Sequence, residues 1–217
     1  MKGLILKDFI NLKKNLKIFG LLSVLYIVLA VASKDTGFFN SVMTMLFAIL
    51  TMSLFSYDDM AKWEIYGLTM PITREDMVSS KYAMLLLLTM FGVAFSSIIS
   101  IGINIVLKKE NLFASISNSF IGAFVVILLY SIVFPFIIKL GVEKARIIIL
   151  IIMVIPFAIV SAINTYMKEG FTDIPGSLTT LLDFLSRNSF ILLPVIALAF
   201  LYLSYRVSVG IYRRKDF

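Results

Sequence analysis

Six long apolar runs without a charged residue constrain most strongly what this chain can fold into. They cover residues 18–33, 36–57, 82–107, 111–138, 147–167 and 188–205. A helix needs about 20 residues to cross a hydrocarbon core of about 30 Å. Strand-like alternation is absent from these runs, and a closed barrel would need many more segments. We therefore predict an all-α polytopic membrane protein with six transmembrane helices.

Composition supports a single transmembrane domain spanning residues 1–217. The chain is 60% hydrophobic and 15% charged, whereas soluble domains average about 45–50% apolar and about 25% charged residues. Cysteine and histidine are absent, which removes disulfides, thiol chemistry, the commonest metal ligand and the usual general base near neutral pH. The net charge of +7 fits basic loops at a membrane better than nucleic-acid binding.

Residues 1–17 have the pattern of an amphipathic helix. Apolar residues recur at helical spacing at Ile5, Phe9, Leu12 and Leu16. Polar residues, mostly lysines, occupy much of the rest, at Lys7, Asn11, Lys13, Lys14 and Lys17. A basic face opposite an apolar face suits a helix that lies in the headgroup layer. The alternative is a frayed cytoplasmic tail.

The distribution of basic residues predicts the orientation. If the N-terminus lies inside the cell, fifteen of the 20 lysines and arginines fall on the inner side and five on the outer side. Basic residues are enriched in cytoplasmic loops. Both termini, and the polar stretch at residues 57–82, are therefore predicted to be cytoplasmic.

The stretch at residues 57–82 is the longest polar interruption between the apolar runs. Asp58 and Asp59 are placed where a helix start would favour negative charge. Pro71 ends that helix, and Thr73 with Asp76 resembles a capping box that starts a second one. One apolar face is predicted to carry Met60, Trp63, Gly67 and Met70. We predict two short helices joined by a bend; a solvated loop is the alternative.

Motifs for most chemistry are missing. The sequence contains no G-x-x-x-x-G-K-[ST] phosphate loop, no H-E-x-x-H and no G-x-S-x-G. No acidic or basic residue lies inside a predicted span, which disfavours proton relays and ion-coupled carriers. The most ordered polar face in a span carries Ser97, Ser100 and Asn104. These side chains either line a pathway or pack helices together.

The stretch DDMAKWEIYGLTMPITREDMVSSKY at residues 58–82 carries a family resemblance. It is similar to an acidic-x-x-x-K-W-x-x-Y-x-L-x-x-P-[IV]-[ST]-R pattern found before the third span in small bacterial permeases. With six spans and an N-terminal amphipathic helix, the chain resembles the permease subunits of type-2 ATP-binding cassette exporters. The group includes the membrane subunits of the phenol-soluble modulin exporter. The specific motif is confined to residues 58–82, whereas the topology covers the whole chain.

The resemblance implies a transporter of two permeases and two ATPase subunits in a bacterial cell membrane. The second permease would be another copy or a sister chain. ATP and magnesium would bind the ATPase, so this chain would be neither an enzyme nor a cofactor carrier. The segment 57–82 would hold coupling helices that contact the ATPase through Asp58, Asp59, Met60, Lys62, Trp63, Glu64, Tyr66, Met70, Pro71 and Arg74. Trp63 would be the buried anchor; the alternative is a tryptophan at the level of the lipid headgroups.

Several functions stay open at this point. An exporter of amphipathic peptides is the leading interpretation, because uncharged spans suit an amphipathic substrate better than an ion. An immunity pump for antimicrobial peptides or drugs would use the same machine. A non-transporting membrane anchor for a soluble partner, or a lipid-modifying enzyme, would not. Membrane lipid is an expected partner throughout, since the C-terminal RVSVGIYRRKDF is basic.

The orientation can be tested with single cysteines, because the native chain has none. A cysteine replacing Glu64 or Lys144 should react only with a thiol reagent that enters the cytoplasm. A cysteine replacing Lys168 or Asp173 should react with an impermeant reagent added outside. Labelling of position 64 from outside would exclude the predicted orientation.

Overall fold

The computed structural model describes residues 2–33, 36–107, 112–145, 147–148, 151 and 189–215. These residues form helices and contain no strand. The elements, in chain order, are α1 (Lys2–Leu12), a 3-10 helix (Lys13–Asn15), α2 (Leu16–Ser33), α3 (Thr36–Met60), α4 (Trp63–Leu68), α5 (Arg74–Val106), α6 (Leu112–Leu140) and α7 (Ser189–Arg213). The all-α prediction is confirmed for the residues described.

Four helices in the described part of the chain are long and apolar enough to cross a membrane. They are Phe39–Met60, Arg74–Val106, Ile116–Leu140 and Leu192–Arg213. A fifth candidate arises if α1 and α2, bent by 63°, count as one broken span. Five predicted runs thus coincide with α2, α3, α5, α6 and α7. The predicted run at 147–167 lies outside the described residues apart from 147–148 and 151, so six spans remain a prediction.

Helices α3, α5 and α6 pack against one another, and α7 packs on α6 and α5. Phe134 of α6 is fully buried at their meeting point. Its ring meets Phe55 at 5.2 Å, Tyr82 at 4.9 Å and Tyr130 at 5.9 Å, each edge to face. Edge-to-face rings add to the free energy gained by burial alone. This aromatic cluster fixes the helices just below the end where α3 finishes and α5 starts.

Glycines let the helix backbones approach closely in the other half of the bundle. A Cβ on Gly92 of α5 would lie 3.1 Å from the Cα of Thr44 in α3. A Cβ on Gly122 of α6 would lie 3.3 Å from the Cα of Ser41. Small residues are the usual means of bringing membrane helices together, because apolar surface alone gives no driving force in lipid.

Helix α1 packs on α3 and α5 through a stripe that overlaps the predicted apolar face only in part. Leu4, Asp8 and Leu12 are buried, at spacings of four residues, whereas Phe9 is 46% exposed. The predicted apolar face is assigned to the headgroup layer, so the exposure of Phe9 leaves that prediction untested, whereas Leu12 of the same face packs against the protein. The buried stripe is rotated because Asp8 turns inward to ion-pair with the rest of the chain.

The segment between α3 and α5 also departs from prediction. Asp58 and Asp59 lie in the last turn of α3, so the predicted helix start there is wrong. Only α4 is a short helix; the second predicted short helix is the beginning of the 33-residue α5. The capping box is confirmed, since Thr73 accepts from the backbone N–H of Asp76 and the Asp76 side chain accepts from the backbone N–H of Thr73.

Two glycines of α5 provide a test of the close helix approach. Gly92→Leu should destabilise the fold by about 1–3 kcal/mol, because the new side chain meets the backbone of α3. Gly102→Leu is the matched control, since a Cβ there meets nothing within 4 Å. Both changes replace glycine by a good helix former in the same helix. Thermal unfolding in detergent should show a lower melting temperature for Gly92→Leu only; equal melting temperatures would contradict the packing.

Candidate functional site

Four charged side chains form a closed ring where α1, α3 and α5 meet. Lys81 Nζ lies 3.0 Å from Asp8 Oδ2 and 2.6 Å from Asp58 Oδ2. Lys7 Nζ lies 2.6 Å from Asp58 Oδ1 and 3.1 Å from Asp8 Oδ1. Each lysine therefore bridges both aspartates, and the ring as a whole is neutral.

The ring is withdrawn from solvent. The side chain of Asp8 is 1% exposed, that of Lys81 9% and that of Asp58 11%, while Lys7 is the most open at 21%. Removing one member of a buried ion pair leaves an uncompensated charge and typically costs about 3–5 kcal/mol. The ring therefore holds α1 against α3 and α5 by mutual compensation.

The position of Asp58 explains why it needs two cations. Asp58 lies in the last turn of α3, where the negative end of the helix dipole disfavours a carboxylate. Lys7 and Lys81 both lie 2.6 Å from its oxygens. Their charges offset the helix dipole and the burial together.

Asp59 connects the same end of α3 to the segment that follows α6. Its Oδ2 accepts a hydrogen bond from the backbone N–H of Val142, at 3.3 Å. Val142 follows Gly141, which has a positive φ of 80° just after α6. Adjacent aspartates thus join α3 to three neighbours: Asp58 to α1 and α5, and Asp59 to the segment after α6.

Trp63 points towards this cluster instead of outward. Lys7 Nζ lies 4.4 Å from the centroid of its ring, a cation–π distance. Gly67, one turn later, is buried, and a Cβ there would fall 1.9 Å from Cε of Met77. Helix α4 therefore packs against the protein through Trp63 and Gly67.

A small cavity lies between α4 and the ring. Its volume is about 40 Å³, and Trp63, Asp59 and Tyr212 are among the lining residues. An ordered water takes about 10–15 Å³ of such volume. The cavity has room for a few waters, but it is too small for a substrate or nucleotide.

The outward side of this region is apolar and exposed. Met60 is 82% exposed, Tyr66 63%, Ile65 52% and Met70 47%. The predicted single face shared by Met60, Trp63, Gly67 and Met70 is therefore wrong. These residues do not share a face because the chain breaks between α3 and α4, where Lys62 adopts a left-handed φ of 48°.

The remaining predicted contact residues mostly bind this chain itself. Glu64 Oε2 lies 2.8 Å from Lys215 Nζ. Arg74 donates to the backbone carbonyls of Tyr212, Arg213 and Lys215 at the end of α7, at 3.4, 2.6 and 3.2 Å. Lys62 and Pro71 are exposed. Helix α4 and the start of α5 are thereby attached to α7.

The predicted polar face of α5 is divided by the structure. Ser100 and Asn104 are buried, together with Ser96, at spacings of four residues. Asn40 of α3 donates to Ser100 Oγ at 3.4 Å. Ser97 lies to one side and is half-buried. Within the described chain, Ser100 and Asn104 are packed between helices.

Sequence reasoning missed three members of the charge network. The sequence pattern puts Lys7 on the polar face of a surface helix and predicts no ion pair for Asp8 or Lys81. The available signal was the spacing of Leu4, Asp8 and Leu12, which puts the N-terminal segment's sole acidic residue on a buried stripe. A buried carboxylate needs a compensating cation, and Lys81 directly precedes the third apolar run.

Comparison with known proteins identifies the family. A family model described as "ABC-2 family transporter protein" matches residues 3–213, nearly the whole chain. Searches of curated proteins and of solved structures return no match. The helical bundle with several candidate spans fits a multi-pass membrane component of an ATP-binding cassette transporter. The chain belongs to the ABC-2 transporter family.

Proposed function

We propose that the protein is the membrane subunit of an ATP-driven exporter that carries amphipathic peptides or similar amphiphiles out of a bacterial cell. The family match supports a permease that works with a separate ATP-binding cassette ATPase. The position of α4 supports a contact between this chain and the ATPase. Helix α4 is held firmly on its inner side by Trp63 and Gly67, and it presents an apolar outer side.

The outer side of α4 is the proposed contact with the ATPase. Met60, Ile65, Tyr66 and Met70 expose apolar surface at the predicted cytoplasmic end of the bundle. Aromatic residues at the centre of an interface often dominate its binding energy. Tyr66 therefore replaces Trp63 as the proposed anchor, and the exposed Lys62 would belong to the polar rim.

The charge ring gives this contact a route to the spans. A displacement of α4 would be transmitted to the end of α3. There Asp58 is ion-paired with Lys81 of α5 and with Lys7 of α1. Arg74 and Glu64 also attach the segment to the end of α7. Closure of the ATPase would therefore move α1, α3, α5 and α7 together.

The peptide substrate is proposed from the resemblance to the phenol-soluble modulin exporter and from the character of the spans. No Asp, Glu, Lys or Arg lies within the six apolar runs. Transport of an amphiphile needs polar and apolar contacts, whereas an inorganic ion would call for charged groups within the spans. An immunity pump for antimicrobial peptides would have the same spans and the same ATPase contact.

Two tyrosines of equal exposure test the ATPase contact. Tyr66→Ala should weaken association with the co-expressed ATPase by about 2 kcal/mol, roughly 30-fold, since it removes the central aromatic group. Tyr202→Ala is the matched control, because Tyr202 is 62% exposed on α7 and Tyr66 is 63% exposed on α4. Affinity purification should retain the ATPase with wild type and Tyr202→Ala, and lose it with Tyr66→Ala.

Full ATPase retention by Tyr66→Ala would exclude the proposed contact. The same complexes separate a transporter from a non-transporting anchor. In lipid vesicles, an amphipathic helical peptide should change the rate of ATP hydrolysis by the wild-type complex. Hydrolysis that no amphiphile changes would favour the anchor.

A further inference from the structure

A basic groove runs between the end of α7 and the start of α5. Its volume is about 210 Å³, far more than an ordered water requires and below the range of about 300–1,000 Å³ typical of drug-sized ligands. The groove is lined by Glu75, Tyr205, Arg206, Val209, Gly210 and Arg213. It is separate from the small cavity beneath α4.

The spacing of residues along α7 creates the groove. Arg206, Gly210 and Arg213 recur at four and three residues, so they follow one face of the helix. A Cβ on Gly210 would meet nothing within 4 Å. Glycine therefore leaves an opening between two guanidinium groups, above a floor that includes Tyr205 and Val209.

The two arginines differ in how much charge they offer. Arg213 is ion-paired with Glu75 across the groove. Arg206 is exposed and has no ion-pair or hydrogen-bond partner among the described residues. Arg214, nearby and also exposed, keeps the local charge positive. The groove thus has an available guanidinium at one end and a partly neutralised one at the other.

The groove also lies at the right depth for a lipid headgroup. Helix α7 starts at Ser189, and a rise of about 1.5 Å per residue puts Arg206 about 25 Å along it. The hydrocarbon core is about 30 Å thick. With the apolar run at residues 188–205 placed across this core, Arg206 and Arg213 would bracket the boundary where phosphates lie, beside Tyr205, a residue type enriched at that boundary.

We propose that this groove binds the phosphate of an anionic phospholipid in the leaflet at the end of α7. A phosphodiester would accept hydrogen bonds from Arg206, a geometry that guanidinium groups favour. The space left by Gly210 admits the headgroup, and the apolar side of α7 at Val207 and Leu203, both more than half exposed, runs alongside the acyl chains. Glu75 holds Arg213 in place and disfavours a doubly charged anion.

Purified protein in detergent, titrated with phosphatidylglycerol, tests the site. Phosphatidylglycerol should raise the melting temperature of wild type and remain bound in native mass spectrometry, whereas zwitterionic phosphatidylcholine should do neither. Arg206→Gln should weaken phosphatidylglycerol binding about fivefold by removing a charge, and Gly210→Leu should also weaken it by filling the groove. Arg214→Gln, an exposed arginine outside the lining, should change it less than twofold.

The controls make each result decisive. In phosphatidylcholine, each variant should melt at the same temperature as wild type, which would show that it is folded. If Gly210→Leu does not fold, the result for Arg206→Gln alone tests the proposed site. Phosphate buffer at millimolar concentration should not displace the lipid; displacement would show an anion site without lipid selectivity and overturn the proposal. Equal weakening by Arg206→Gln and Arg214→Gln would reduce the effect to general surface charge and overturn it as well.

Discussion

The buried ring of Lys7, Asp8, Asp58 and Lys81 is the interaction on which the arrangement of this end of the bundle depends. It joins α1, the end of α3 and the start of α5 with four contacts of 2.6–3.1 Å. Two lysines and two aspartates cancel in charge, so the group tolerates a burial that none of its members would tolerate alone. Trp63, with Lys7 over its ring, fixes α4 to the same group.

The two ends of the bundle are stabilised by different means. Away from the ring, Gly92 and Gly122 bring backbones together and uncharged polar side chains such as Ser100 and Asn104 pack between helices. At the ring, charges on adjacent elements are joined, and Asp59 and Arg74 extend the connections to α6 and α7. Charged side chains are costly inside the hydrocarbon core and are better tolerated near the headgroup layer. A soluble partner would also contact the protein near that layer.

The sequence predicted what depends on local pattern. The bounds of α3 and α6 match the apolar runs closely, and the Thr73–Asp76 capping box was readable from four residues. The ion pairs of the ring could not be predicted from local sequence pattern, because Lys7 and Asp58 are 51 residues apart and Asp8 and Lys81 are 73 apart. The inward turn of Trp63 was missed because a left-handed residue at Lys62 is no part of any helical pattern.

A double-mutant cycle on Asp8 and Lys81 tests the central claim most directly. Lys81→Met and Asp8→Asn each leave one uncompensated charge in the ring, and each should lower the free energy of unfolding by about 3–5 kcal/mol. The double variant keeps Lys7 and Asp58 as a neutral pair, so it should recover much of that loss. Chemical unfolding in detergent should therefore give a clearly non-additive cycle. Additive losses would show that the ring does not hold α1 to α5 by mutual compensation.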